Sequence, residues 1–192
     1  MLEPATLEAA LHALGEVLEA RRLAYDVVAA GGSSLMLLGL LERPTRDLDV
    51  VALVESGRYV KANPLPSPLA DAALDVGETL GIGGAWLNAG PTDLLDFGLP
   101  PGFADRVETR RYDALTLRLA SRLDQICQKL YAAVDQGPRS KHFEDVVRLA
   151  PSDDELLFAA RWSITRDPSE GFRADLVRAL ALFGVPDAQS RL

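Results

Sequence analysis

The chain reads as α/β of the α+β kind: a mixed sheet flanked by helices, followed by a helical C-terminal region. Three observations predict this. Two strand patterns, residues 24–30 and 48–54, enclose a short apolar helix. A strand-like pair, residues 107–112 and 115–119, follows the Pro100-Pro101-Gly102 boundary signal. From Leu123 onward the apolar spacing turns helical. On this reading residues 1–105 form a core and residues 106–192 a strand pair followed by a mostly helical region.

The first predicted helix covers residues 4–21, because Leu7, Leu11, Leu14 and Leu18 recur at helical spacing on one stripe. A buried strand follows at residues 24–30 and ends at Gly31-Gly32, which permit a sharp turn. Ser33 or Ser34 caps the apolar stretch 35–41. Pro44 disfavours helical geometry in Arg43 and so stops that helix before the strand through Leu48, Val50, Val51, Leu53 and Val54. Pro64, Pro66 and Pro68 mark a loop, and a helix over residues 69–80 ends at Gly81. In the last third, Leu123, Ile126, Cys127, Leu130 and Val134 line one side of a helix, with Lys129 off that stripe. Ser152 and Glu155 form a capping box for another, and a last helix over 170–183 is stopped by Gly184 and Pro186.

Composition narrows the setting. At 192 residues the chain is long enough for one compact domain or two small ones, and 48% hydrophobic with 25% charged side chains is ordinary for a globular protein. The single Cys127 excludes an intramolecular disulfide, and with only His12 and His142 beside it no zinc spacing exists. No apolar run is long enough to span a bilayer, so a cytoplasmic location is expected. A net charge of −8 opposes broad, sequence-independent nucleic-acid binding, which depends on neutralising phosphates. Arg106, Arg110, Arg111, Arg118 and Arg122, followed by Lys129, Arg139 and Lys141, form either a local basic surface or a solvated face.

The chemistry-bearing segment lies near the front. Thirteen positions after Ser34 comes Asp47-Leu48-Asp49-Val50. Side chains two apart on a strand share a face, with Cα atoms roughly 6.5 Å apart. Two such carboxylates repel by about 2 to 3 kcal/mol at an effective dielectric near 20, and a divalent cation between them reverses that sign. Magnesium takes oxygen ligands and is commonly shared between one or two carboxylates and substrate phosphates. The Gly31-Gly32-Ser33-Ser34 turn, opening a helix, offers amide groups to an anion. Turn and acid pair together predict a metal-nucleotide site with Mg²⁺ or Mn²⁺. A P-loop is excluded because no Gly-Lys-Ser/Thr follows the glycines, and Gly81-Ile82-Gly83-Gly84 lacks the spacing of a dinucleotide fingerprint.

Gly31, Gly32, Ser33, Asp47 and Asp49 resemble the pattern of the DNA polymerase β-like minimal nucleotidyltransferases. Thr45-Arg46-Asp47-Leu48-Asp49 looks like the bacterial branch that includes AbiEii-type toxins of toxin–antitoxin systems. The resemblance implies a nucleotidyltransferase-like core for residues 1–105, with Asp47 and Asp49 as metal ligands and Gly31, Gly32, Ser33, Ser34 and Arg46 as nucleotide-binding residues. It also implies catalytic roles for Lys129 and Asp145, from Gln128-Lys129-Leu130-Tyr131-Ala132 and Lys141-His142-Phe143-Glu144-Asp145-Val146. In the second element His142 and Val146 depart from the family pattern, so only Asp145 carries over. Asp145 alternatively pairs with Arg148 or Lys141 on its own helix. A third carboxylate, usual on a later strand, has no clear equivalent; Asp93 and Asp96 are the nearest. Trp86-Leu87-Asn88 resembles an element of the same branch, while core packing is the commoner explanation of a lone tryptophan.

Two functions follow as expectations. In the first, an NTP-Mg complex gives up its nucleoside monophosphate to a hydroxyl of RNA, such as tRNA, or of a protein; the chain then serves as the toxin of a pair with an antitoxin partner. In the second, a catalytically degenerate module on the same scaffold binds a nucleotide or a protein partner without chemistry.

Overall fold

The computed structural model describes every residue except Pro91 and Phe97. The chain divides into two compact units, Met1–Ala120 and Ser121–Leu192.

The first unit runs α1 (Pro4–Ala20), β1 (Tyr25–Ala30), α2 (Gly32–Leu37), β2 (Leu48–Glu55), β3 (Arg58–Lys61), α3 (Ser67–Thr79), β4 (Leu87–Ala89), a 3-10 turn (Thr92–Leu95), α4 (Phe103–Arg106), β5 (Glu108–Tyr112) and β6 (Leu115–Leu119). The mixed sheet is ordered β3-β2-β1-β6-β5. β1 is antiparallel to β2 and parallel to β6, while β3 and β4 both pair with β2, along its later and earlier residues respectively. The predicted boundary near residue 105 therefore moves to Ser121. The strand pair predicted to open the second region is bound into the first unit's sheet, because Tyr25 to Ala29 pair with Leu115 to Leu119.

Alternation along the strands gives the sheet two apolar faces. One carries Val27, Ala29, Leu48, Val50, Leu117 and Leu119, packed with the leucine stripe of α1 and with Leu69, Ala72 and Val76 of α3. Leu7, Leu11, Leu14 and Leu18 are fully buried there, each contributing roughly 1.5–3 kcal/mol relative to an exposed position. The other face carries Val28, Ala30, Val51, Phe103 and Ala120, with Tyr59, Leu94 and Leu95 packed against them. The register of β1 on β2 shifts between Val28 and Ala29, which pair with Ala52 and Val50, so Val51 is the extra residue of a β-bulge. The bulge leaves Val51 and Ala52 on the same face, while Val50 and Leu53 lie on the other.

The second unit is helical, with α5 (Arg122–Gln136), α6 (Lys141–Leu149), α7 (Asp153–Arg166), α8 (Glu170–Leu182) and α9 (Ala188–Arg191). Serine hydroxyls cap four of these helices: Ser121, Ser140, Ser152 and Ser169 each accept a backbone N–H three residues on. The capping box of Ser152 and Glu155 is present. Arg122 donates to the carbonyls of Leu149 and Ala150 at the end of α6, and pairs with Glu155 at 2.5 Å. One guanidinium thus satisfies orphan carbonyls of one helix and anchors the cap of the next.

Among the described residues, no helix is long and apolar enough to cross a membrane.

Candidate functional site

The Gly-Gly-Ser-Ser turn and the acidic strand meet at one place in the first unit. β1 ends at Ala30, whose cross-strand partner is Asp49. Leu48 and Val50 enter the core beneath α1 and α3, so Asp49 between them projects on the opposite face, beside Ala30. Gly31 follows directly, with φ 86° and ψ −161°, a region open essentially to glycine alone. A Cβ at Gly31 would stand 3.0 Å from Asp49 Oδ2. Gly90, at the end of β4, approaches from the far side: a Cβ there would lie 2.6 Å from the Asp49 Cβ and 3.1 Å from Oδ1. The Asp49 carboxylate therefore sits between two backbone segments, each of which comes too close to carry a side chain toward it.

Asp47 immediately precedes β2 and is half-buried, as Asp49 is. Its carbonyl accepts a hydrogen bond from the Ser33 hydroxyl, which also lies 2.6 Å from the Thr45 hydroxyl. Ser33 is thus a buried tie between the turn and the acidic loop, and its side chain is engaged there. Ser34 is fully buried at the start of α2. The loop is held from its other side too, because Leu2 and Thr45 exchange backbone hydrogen bonds of 2.6 and 3.1 Å.

The short helix differs from the expected 35–41. It spans Gly32–Leu37, only six residues, starting at the glycine itself. So short a helix has little macrodipole, and an anion here would be met by the amides of the turn instead. The two arginines of the loop also differ from expectation. Arg46 is exposed, whereas the Arg43 guanidinium lies 4.0 Å from where a Cβ at Gly32 would stand, against the turn. Its place in Arg43-Pro44-Thr45, on the same loop, is the signal that could have singled it out.

The candidates for a third acid are paired with basic side chains. Asp93 and Asp96 form ion pairs with Lys61 of β3, at 3.8 and 2.7 Å. Asp26 on β1 makes a two-pronged pair with Arg118 of β6, at 2.8 and 2.7 Å. Opposite Asp49 on β4 stands Asn88, a carboxamide. Among the described residues, no group of three or more His, Cys, Asp and Glu side chains comes together as a metal site. Trp86 belongs to the core, where its indole N–H donates to the Ala73 carbonyl at 2.8 Å.

Lys129 and Asp145 belong to the helical unit and pair with each other, Lys129 Nζ to Asp145 Oδ2 at 2.8 Å, with side chains 9% and 2% exposed. The helical spacing sets Lys129 off the apolar stripe of α5, and Lys141 and Arg148 are the partners for Asp145 on its own helix. Packing of α6 against α5 buries both and joins them across the two helices. The basic stretch resolves similarly. Arg110 pairs with Glu8 and Glu108 and donates to the Leu37 carbonyl, Arg118 holds Asp26, and Arg122 holds Glu155. Those three guanidiniums tie elements together within their own units.

Next to this network, Tyr112 donates to Glu8 at 2.8 Å. Burial, reinforced by the Glu8 carboxylate, pushes its phenol up to about 12.

No protein-family model, no curated protein and no solved structure matches this chain.

Proposed function

We propose that the first unit is a nucleotidyltransferase-like site that binds an NTP through a divalent cation, and that the chain transfers the nucleoside monophosphate to a hydroxyl acceptor. The observation that carries this reading is the approach of the Gly31 backbone to the Asp49 carboxylate, 3.0 Å from Oδ2 to a built Cβ. A glycine turn whose backbone meets a carboxylate suits a nucleotide whose phosphates share a hard cation with the protein.

The residues fit Mg²⁺ or Mn²⁺. Asp47 and Asp49 offer hard oxygen donors at the rim of the sheet, and a bound cation would neutralise the phosphates and polarise the reacting phosphorus. Asp47 and Asp49 would hold the cation, and the amides of Gly32 and Ser33 would hydrogen-bond phosphate oxygens. The Arg43 guanidinium, 4.0 Å from a Cβ built at Gly32, would add a cationic donor to an anion on the turn. The acceptor oxygen forms a bond to the α-phosphorus as the bond to pyrophosphate breaks, and the acceptor's proton leaves to solvent or a base. Within this reading the Lys129–Asp145 pair is a structural tie of the helical unit.

The polymerase β-like class is the reading these residues support, and a toxin acting on RNA or on a protein, held in check by an antitoxin, is the biological setting that class suggests. One observation favours the second reading, a binding module without turnover: Asn88, not an acid, stands opposite Asp49.

The test incubates purified protein with each radiolabelled NTP, Mg²⁺ and total RNA. Label transfer that requires Mg²⁺ and disappears in Asp47→Ala with Asp49→Ala is expected. Transfer undiminished in the double variant would show that the site lies elsewhere. Nucleotide binding with no pyrophosphate release would favour the module.

A further inference from the structure

β4 is a strand of three residues, yet its register is firm: Leu87 pairs with Leu48, Asn88 with Asp49 and Ala89 with Val50. The Leu48 N–H donates to Trp86 O at 2.6 Å, and the Gly90 N–H to Val50 O at 2.9 Å. Partners in a parallel pair point to the same side, and neighbouring strands run about 4.8 Å apart. Asn88 is therefore beside Asp49 on the face that Ala30 and Gly31 approach from the other flank.

We infer that Asn88 belongs to the cation site and supplies a neutral carboxamide oxygen where a second cation would need a third carboxylate, so that the site holds one divalent cation. This inference rests on the nucleotide reading of Asp47 and Asp49. Its physical basis is charge balance. One divalent cation neutralises two carboxylates, and a carboxamide adds a donor oxygen without adding charge. A third carboxylate about 4.8 Å from Asp49 would leave a negative excess that a second cation relieves. The acids that could supply it are engaged elsewhere, Asp93 and Asp96 with Lys61 and Asp26 with Arg118. Gly90 keeps the end of β4 bare, so that the strand fits against Asp49.

The experiment titrates the full chain with Mn²⁺ alone and counts bound ions from the loss of the free-ion electron paramagnetic resonance signal. The variants are Asn88→Asp, Asn88→Ala and the Asp47→Ala, Asp49→Ala double variant, each checked for fold by circular dichroism. Wild type is expected to bind one Mn²⁺ that Mg²⁺ displaces and that the double variant loses. Asn88→Asp should bind a second ion or hold the first about tenfold more tightly, equivalent to about 1.4 kcal/mol. Asn88→Ala should weaken binding several-fold, and decides the matter should Asn88→Asp fail to fold. Unchanged stoichiometry with Mn²⁺ affinity within about twofold in the folded Asn88 variants overturns the role of Asn88 while leaving the acid pair in place. Binding that is the same in wild type and the double variant overturns the nucleotide reading itself, and the inference with it.

Discussion

Removing one partner of the Lys129–Asp145 pair tests whether these two residues hold the helical unit together. The nitrogen and oxygen are 2.8 Å apart, with side chains 9% and 2% exposed, so neither charge can recover hydration when the other is lost. Breaking a buried pair from one side costs about 3–5 kcal/mol, because the survivor remains charged in a poorly solvated place. Replacing both partners by apolar side chains of similar volume is often neutral. Lys129→Met should therefore destabilise the helical unit by about 3–5 kcal/mol, and Lys129→Met with Asp145→Leu should recover most of that loss. With a urea slope of about 1–1.5 kcal/mol/M for so small a unit, the single variant lowers the unfolding midpoint by at least about 2 M. Urea titration followed by helical circular dichroism, together with the fluorescence of Trp162, which lies in this unit and is buried, provides the assay. A single variant within about 1 kcal/mol of wild type, or a double variant as unstable as the single, would refute the reasoning.

Three further outcomes follow from particular geometry. Gly31→Ala should cost about 1–3 kcal/mol, because φ 86° with ψ −161° excludes other residues, and should weaken NTP-Mg binding measured by calorimetry. Gly39→Ala is its control: φ there is 70° with nothing within 4 Å of a Cβ, so a strain of about 1–2 kcal/mol should leave binding unchanged. Tyr112 should ionise well above the ordinary tyrosine range in an ultraviolet phenolate titration, near 12. Its folded-state pKa is raised, so its contribution to stability is full below the ordinary tyrosine range and is lost as pH climbs through that range to about 12; Tyr112→Phe should flatten that loss in alkaline denaturation curves.

Parts of this fold are legible in the sequence because they obey a local period or cap. The α1 leucine stripe, the strand that ends at Gly31, the acidic strand and the Ser152–Glu155 box are of this kind. What was not legible depends on partners distant along the chain. β4 is too short to carry a period, and only its pairing with β2 makes it a strand and Asn88 a neighbour of Asp49. The strand pair 108–119 joins the first unit because β6 pairs with β1, ninety residues earlier. Lys129 reads as a surface charge on a helical wheel, since the wheel does not contain Asp145. Within the candidate site, the order of glycine turn and acid pair is local and was readable. The closeness of Arg43 to Gly32, the exposure of Arg46 and the engagement of the Ser33 hydroxyl by Thr45 and the Asp47 carbonyl are set by how the loop folds back.

The central claim is that the acidic pair beside the Gly31 turn holds a nucleotide through a divalent cation. Calorimetric titration of each NTP into the protein, with Mg²⁺ and then with excess chelator, tests it most directly in wild type and Asp49→Asn. The account predicts saturable binding that vanishes with the chelator and falls at least tenfold in the variant, about 1.4 kcal/mol. Equal binding by wild type and Asp49→Asn, or binding indifferent to Mg²⁺, would contradict it.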